Sequence, residues 1–325
     1  MSRVTISTPA TTANFGPGFD CVGIALELFN TVSASWTSTS KYTGSESDLT
    51  AWLAKETATS FSGRYATDLQ LVGIDLFYQA LARLLTKAGL RPEGLSVQIK
   101  AEIPLARGLG SSAACIVSAL CLAREIAASA QHKISFTEIV EEAVKLEGHP
   151  DNALPCLYGG ACINIVQPGQ SPIALQFKVP EELSFVIGVP DIKVSTEAAR
   201  RVLPPTVSLQ EAVINSANLG GLLLALRNKD FARLAKLIHS PLHVPYRAEL
   251  IPGYREVEEA AYRAGACAFT ISGSGPSVLA LALYSPEEVG EEIVRAFNTA
   301  AQLNAEYIVS KVETNGTKVE RREEA

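Results

Sequence analysis

Apolar and polar positions alternate along residues 4–8 and 31–35, and the stretches 4–8 and 25–35 read as strands with one face in a core. Between them lies a loop, Asn14-Phe15-Gly16-Pro17-Gly18-Phe19-Asp20, of the kind on which functional residues gather. Residues 38–68 are polar, rich in Ser and Thr and without a clear period, which predicts an irregular excursion. Residues 73–88 read as a helix and 95–103 as a strand. The run 111–129 is apolar nearly all round, with only Arg124 and Glu125 charged, and predicts a buried helix. Ser135-Phe136-Thr137-Glu138 matches a capping box, and the stripe Ile139, Val140, Ala143, Val144, Leu146 ends at Gly148. That helix delivers Glu147 at its C-terminal end. A strand follows at 158–166.

The string Gln167-Pro168-Gly169-Gln170-Ser171-Pro172 has the composition of a linker, so domains are expected over 1–166 and 167–325. Beyond it come a strand at 183–190, helices opened by Ser208-x-x-Glu211 and running to 238, and a helix at 253–264. Strands at 266–272 and 277–283, a helix at 287–303 and a strand at 306–312 complete the order. The sequence β-α-β-β-α-β, with extra helices in the first crossover, is that of a ferredoxin-like sheet in an α+β fold. The charged tail from Asn315 is expected to fray.

Composition narrows the function. At 325 residues the chain exceeds the usual single core, and 47% hydrophobic with 19% charged residues describes a globular protein. A net charge of −6 with no run of Lys or Arg argues against nucleic acid or an anionic membrane as partner. The opening Met1-Ser2-Arg3-Val4-Thr5-Ile6-Ser7 lacks the apolar stretch of an export signal, so a cytoplasmic protein is expected. Six cysteines without Cys-x-x-Cys spacing read as free thiols.

The chemistry concentrates where strand 95–103 runs into Pro104-Leu105-Ala106-Arg107-Gly108-Leu109-Gly110-Ser111-Ser112-Ala113-Ala114 and the buried helix begins. Amides freed by the two glycines, with the positive end of the helix dipole, form a concavity suited to polyphosphate. Ser111 and Ser112 add hydroxyls. A Walker loop is excluded, because no lysine stands between Lys100 and Lys133. The dinucleotide fingerprint fits poorly: five residues intervene after the strand, and no second strand with an acidic end follows the helix. Taken alone, the loop fits an anion site and an ordinary helix cap equally.

The whole string resembles the ATP-binding motif of the GHMP small-molecule kinases. Pro9-Ala10-Thr11-Thr12-Ala13-Asn14-Phe15-Gly16-Pro17-Gly18-Phe19-Asp20 resembles that family's N-terminal motif, and Ile271-Ser272-Gly273-Ser274-Gly275-Pro276-Ser277 its C-terminal glycine motif. The resemblance spans essentially the whole chain. It implies an N-terminal domain like domain 2 of ribosomal protein S5, a ferredoxin-like C-terminal domain, an active site between them, ATP and Mg²⁺ as cofactors, and a homodimer. Glu147-Gly148-His149-Pro150-Asp151-Asn152, Val194-Ser195-Thr196-Glu197-Ala198-Ala199-Arg200 and Tyr246-Arg247-Ala248-Glu249-Leu250-Ile251-Pro252-Gly253 resemble the branch that phosphorylates L-homoserine in threonine biosynthesis. The family's asparagine near the adenine is replaced here by Asp75.

By this resemblance Asn14, Asp20, Asn152, Arg200 and Arg247 bind the acceptor. The charges suit a zwitterion: Asp20 for its ammonium, the two arginines for its carboxylate. Glu147 with Ser111 or Ser112 would hold the metal, Asn152 would orient the hydroxyl, and Asp151 is a candidate base. His149, a lone His before a proline, reads as a packing residue. Two alternatives are a GHMP kinase acting on mevalonate or a sugar, which needs neither arginine nor Asp20, and a non-catalytic regulatory relative, which would be expected to lose Glu147 or the serines.

Overall fold

The N-terminal alternation becomes two long antiparallel strands, β1 (Ser2–Ala13) and β2 (Val22–Trp36), in a computed structural model that describes residues 1–72 and 74–322. Residues 38–68, expected to be irregular, hold β3 (Ser38–Lys41), α1 (Glu46–Glu56), β4 (Ala58–Ser62) and the start of α2 (Ala66–Val72). α1 is capped by Ser45, whose hydroxyl accepts from the Asp48 N–H at 3.2 Å. It buries only Leu49 and Leu53, too few apolar positions for a period to show.

α3 (Asp75–Ala88) buries Phe77, Tyr78, Leu81, Leu84 and Leu85; Gly73, within the predicted helix, lies outside the described residues. β5 (Leu90–Glu93) pairs with β3, and β6 (Ser96–Lys100) joins β2 to the edge strand β4. The predicted buried helix is α4 (Ser111–Ser129), packed on β1, α3 and α5 (Phe136–Glu147). It is long and apolar enough to cross a membrane, but here it is the central core helix. The capping box of α5 forms in full and Gly148 ends the helix at φ 84°.

An unpredicted short helix, α6 (Pro150–Tyr158), follows at once. A Cβ on Gly23 would stand 1.7 Å from the carbonyl oxygen of Asp151, so a glycine in β2 is what lets α6 lie against the strand. The strand expected from 158 is therefore the shorter β7 (Ala161–Ile165). Residues 167–172 are a hairpin loop rather than a linker, because β8 (Ile173–Phe177) pairs with β7. The first sheet runs β13-β1-β2-β6-β4, with β7 on β2 and β8 on β7.

The second sheet has the order β10-β11-β9-β12, formed by β9 (Ser184–Pro190), β10 (Ala268–Ile271), β11 (Val278–Ala282) and β12 (Ala305–Ser310). All its neighbours are antiparallel, the ferredoxin-like arrangement. The first crossover carries α7 (Thr196–Arg201), α8 (Leu209–Asn228), a 3₁₀ turn, α9 (Leu234–Leu237), α10 (Val244–Ala248) and α11 (Tyr254–Arg263). With α12 (Pro286–Ala300), α11 covers the sheet through Val257, Ala261, Val289, Ile293 and Phe297. The tail expected to fray forms β13 (Lys318–Arg322), antiparallel to β1, and Arg321 donates to Glu125 of α4 at 3.2 Å. We place the domain division after β8, with β13 returning to the first domain.

Candidate active site

β1 ends beside the glycine-serine loop, where the Thr11 N–H donates to the Leu109 carbonyl at 3.1 Å. Gly108 and Gly110 have φ of 74° and 67°. A Cβ would stand 2.2 Å from the Ser272 carbonyl oxygen at the first and 1.9 Å from Thr11 Oγ1 at the second. Both positions need glycine for conformation and for space. Gly110 immediately precedes α4, so the unpaired N–H groups of its first turn open on a cavity of about 350 Å³ between the two domains. Ser272 Oγ donates to the Gly108 carbonyl at 2.7 Å, and Asn14 Nδ2 donates to the Gly273 carbonyl at 2.8 Å. The C-terminal glycine motif thereby holds both the glycine-serine loop and the N-terminal motif.

In the first turn of α4, Ser112 Oγ donates to Glu147 Oε2 at 2.8 Å. Burial raises the Glu147 carboxyl above the usual carboxylate range, with the Ser112 hydroxyl offsetting part of the rise. Asp151 is 2% exposed and lies 2.7 Å from His149 Nδ1. Burial alone would lower the His149 imidazole, but the bond to Asp151 and its charge leave it above its ordinary value. His149, expected to be a packing residue, lines the cavity instead. Asn152 lines it too, its Oδ1 accepting from Thr11 Oγ1 at 2.7 Å.

The charged groups gather at the other end. Arg247 is 2% exposed and donates from Nε to the Ala199 carbonyl at 3.2 Å and from Nη1 to the Gly273 carbonyl at 3.0 Å. Among the described residues it makes no ion pair. Desolvation lowers its pKa to about 10, which still leaves it charged at neutral pH. Arg200 pairs bidentately with Asp20 at 2.8 and 2.9 Å, and both arginines lie over the Phe19 ring. The sequence-based expectation of separate roles for Asp20 and Arg200 thus meets a pair already bonded to each other.

Of the loop residues, Leu105, Ala106, Gly108, Gly110, Ser111, Ser112 and Ala114 line the cavity. Leu109 and Ala113 are buried in the core. Pro104 and Arg107 face a separate cavity of about 250 Å³, where Arg107 pairs with Asp191 at 2.9 Å. Asp75 is exposed and outside the main cavity, whose apolar wall is made instead by neighbours such as Ile74, Leu76 and Phe77. Sequence reasoning also missed Thr11, which bonds to Asn152 and to the glycine-serine loop, and Lys193, which lines the cavity. The first was inside a quoted motif without an assigned role; the second had no signal beyond standing next to one.

Two family models match the chain, the GHMP kinases N terminal domain over residues 75–160 and the GHMP kinases C terminal model over 222–302. A homoserine kinase of Crocosphaera subtropica is 37% identical over 321 residues, covering 98% of each chain. One of Trichormus variabilis is 38% identical over 291 residues, 87% of each. The chain belongs to the GHMP kinases, in their homoserine kinase branch. A solved structure, that of homoserine kinase from Cytophaga hutchinsonii, superimposes with a TM-score of 0.79 at 28% identity, over 98% of this chain and 97% of the other. The family makes the protein an ATP-dependent small-molecule kinase, and the two-domain α+β fold is that of its members.

Proposed function

We propose that this kinase transfers the γ-phosphoryl group of ATP to the side-chain hydroxyl of L-homoserine, giving O-phospho-L-homoserine, in the cytoplasm. The observation that carries the acceptor is Arg247, a buried guanidinium that faces the cavity with two carbonyl partners and, among the described residues, no carboxylate in hydrogen-bond or ion-pair contact. A buried charge without a counter-ion is costly, and an acceptor carboxylate supplies what it lacks. The Asp20–Arg200 pair fits the same ligand. Its side chains are 35% and 39% exposed, so breaking it costs about 1 kcal/mol or less. A zwitterion carries one charge of each sign and can replace both partners, its ammonium on Asp20 and its carboxylate on the arginines. Mevalonate and a neutral sugar cannot.

The polyphosphate rests on the amides around Gly108–Ser112, and the adenine on the apolar wall of Ile74 and Phe77. The donor set of Glu147 and Ser112 fits Mg²⁺, which takes one or two protein oxygens beside phosphate and water. There it would neutralise charge on the phosphates. Among the described residues no three His, Cys, Asp or Glu groups form a metal cluster, so the binding residues are few. Phosphoryl transfer through a loose transition state asks mainly for alignment and charge stabilisation. Asn152 orients the hydroxyl, and Asp151, held by His149, is the carboxylate available to take its proton.

Coupled ADP release with L-homoserine, mevalonate and galactose offered in turn tests the reading. Turnover on L-homoserine alone supports it; turnover on either of the others, or ATP binding with no turnover at all, sinks it.

A further inference from the structure

We propose that Thr11 is a positioning residue that fixes which end of the Asn152 amide faces the acceptor. This rests on the reading of Asn152 given above. Thr11 is 0% exposed near the end of β1, and its hydroxyl has one hydrogen-bond partner among the described residues, Asn152 Oδ1 at 2.7 Å. A hydroxyl carries a single proton. Were it to accept from the amide instead, that proton would be buried without an acceptor, at a substantial cost. The hydroxyl therefore donates, Asn152 accepts through its carbonyl oxygen, and the amide NH₂ is left for the cavity that Asn152 lines.

Two consequences follow for the transfer step. Asn152 donates a hydrogen bond to the acceptor hydroxyl oxygen and takes no proton from it, so the proton must leave by another group. Thr11 also sets the distance between the two halves of the reaction. Its N–H holds the Leu109 carbonyl at 3.1 Å, and Gly110 packs so close to Oγ1 that a Cβ there would fall at 1.9 Å. One residue, through its backbone N–H and its hydroxyl, thus spaces the phosphate loop from the residue that aims the nucleophile.

The test is a cycle of Thr11→Val, Asn152→Ala and the double variant, with Thr11→Ser as the conservative replacement. Valine keeps the shape and removes the donor. We expect it to lower kcat roughly tenfold to a hundredfold with KM for ATP held within about twofold, while serine stays within about threefold of wild type. In the Asn152→Ala background the valine change should add less than about twofold, because the partner is already gone. Wild-type kcat in Thr11→Val beside a slow Asn152→Ala overturns the role of Thr11 and spares that of Asn152. Equal losses in Val and Ser, or effects that multiply in the double variant, overturn it too. A wild-type kcat in Asn152→Ala removes the reading of Asn152 and this proposal with it. Should the valine variant fail to fold, Thr11→Ala set against Thr11→Ser makes the same comparison: a slow alanine variant with an active serine one supports the role, and equal rates overturn it.

Discussion

Single residues separate binding from folding at this site. Asp20→Asn breaks a pair whose side chains are both more than a third exposed, so thermal melting should move by no more than about 1 kcal/mol, while KM for L-homoserine rises at least about tenfold. An unchanged KM would remove Asp20 from acceptor binding. Gly110→Ala has the opposite character. It forces a side chain onto a backbone at φ 67° and onto Thr11 Oγ1, and should cost roughly 2 kcal/mol of stability and about a hundredfold in kcat/KM. For Asp151→Asn, a large loss of kcat is expected; kcat retained near the wild-type value excludes it as proton acceptor. The motifs made these residues legible because each carries charge or glycine at fixed spacing. Thr11 was not, because a buried threonine in a strand reads as core until its partner is seen.

At the scale of elements, strong periods and caps gave the helices their ends in advance: α4 and α5 begin and end where the apolar run and the capping box put them. Elements held mainly by tertiary contacts were invisible. β4 is a polar edge strand, α6 has a proline inside it and leans on Gly23, and β13 is a charged segment whose strand exists because β1 offers an edge. Removing residues 318–325 should therefore lower the melting temperature by several degrees, where a frayed tail would leave it unchanged. The junction of α10 with the N-terminal loop adds a pH dependence. His243 is fully buried, donates from Nε2 to the Gly16 carbonyl at 2.8 Å and stacks on Phe19, and burial lowers its pKa to about 4. Between that value and about 6.5 the unfolded chain binds a proton that the folded chain does not, so stability falls as pH drops through this window, by up to roughly 3 kcal/mol. Melting curves from pH 7 to 4.5 should show a shallower decline in His243→Gln than in wild type.

For the molecule as a whole, the proposed active site exists because two sheets meet. Neither domain holds it alone: the glycine-serine loop, Glu147 and Asn152 come from the first, Arg200 and Arg247 from the crossover of the second, and Gly273 ties them through its carbonyl to Asn14 and Arg247. The α+β class and the ferredoxin-like order were readable from element order, whereas the return of β8 and β13 to the first sheet was not, since pairing between segments remote in sequence leaves no local period. The central claim is that this junction reads both charged ends of an amino-acid alcohol. The most direct measurement compares kcat/KM for L-homoserine with 4-hydroxybutanoate, which lacks the ammonium, and 3-aminopropan-1-ol, which lacks the carboxylate. Losses of at least about a hundredfold for each are expected, because 3-aminopropan-1-ol leaves the buried Arg247 without a carboxylate, and the carboxylate of 4-hydroxybutanoate takes Arg200 from Asp20 without bringing Asp20 a new partner. Either analogue within about tenfold of L-homoserine would contradict the account.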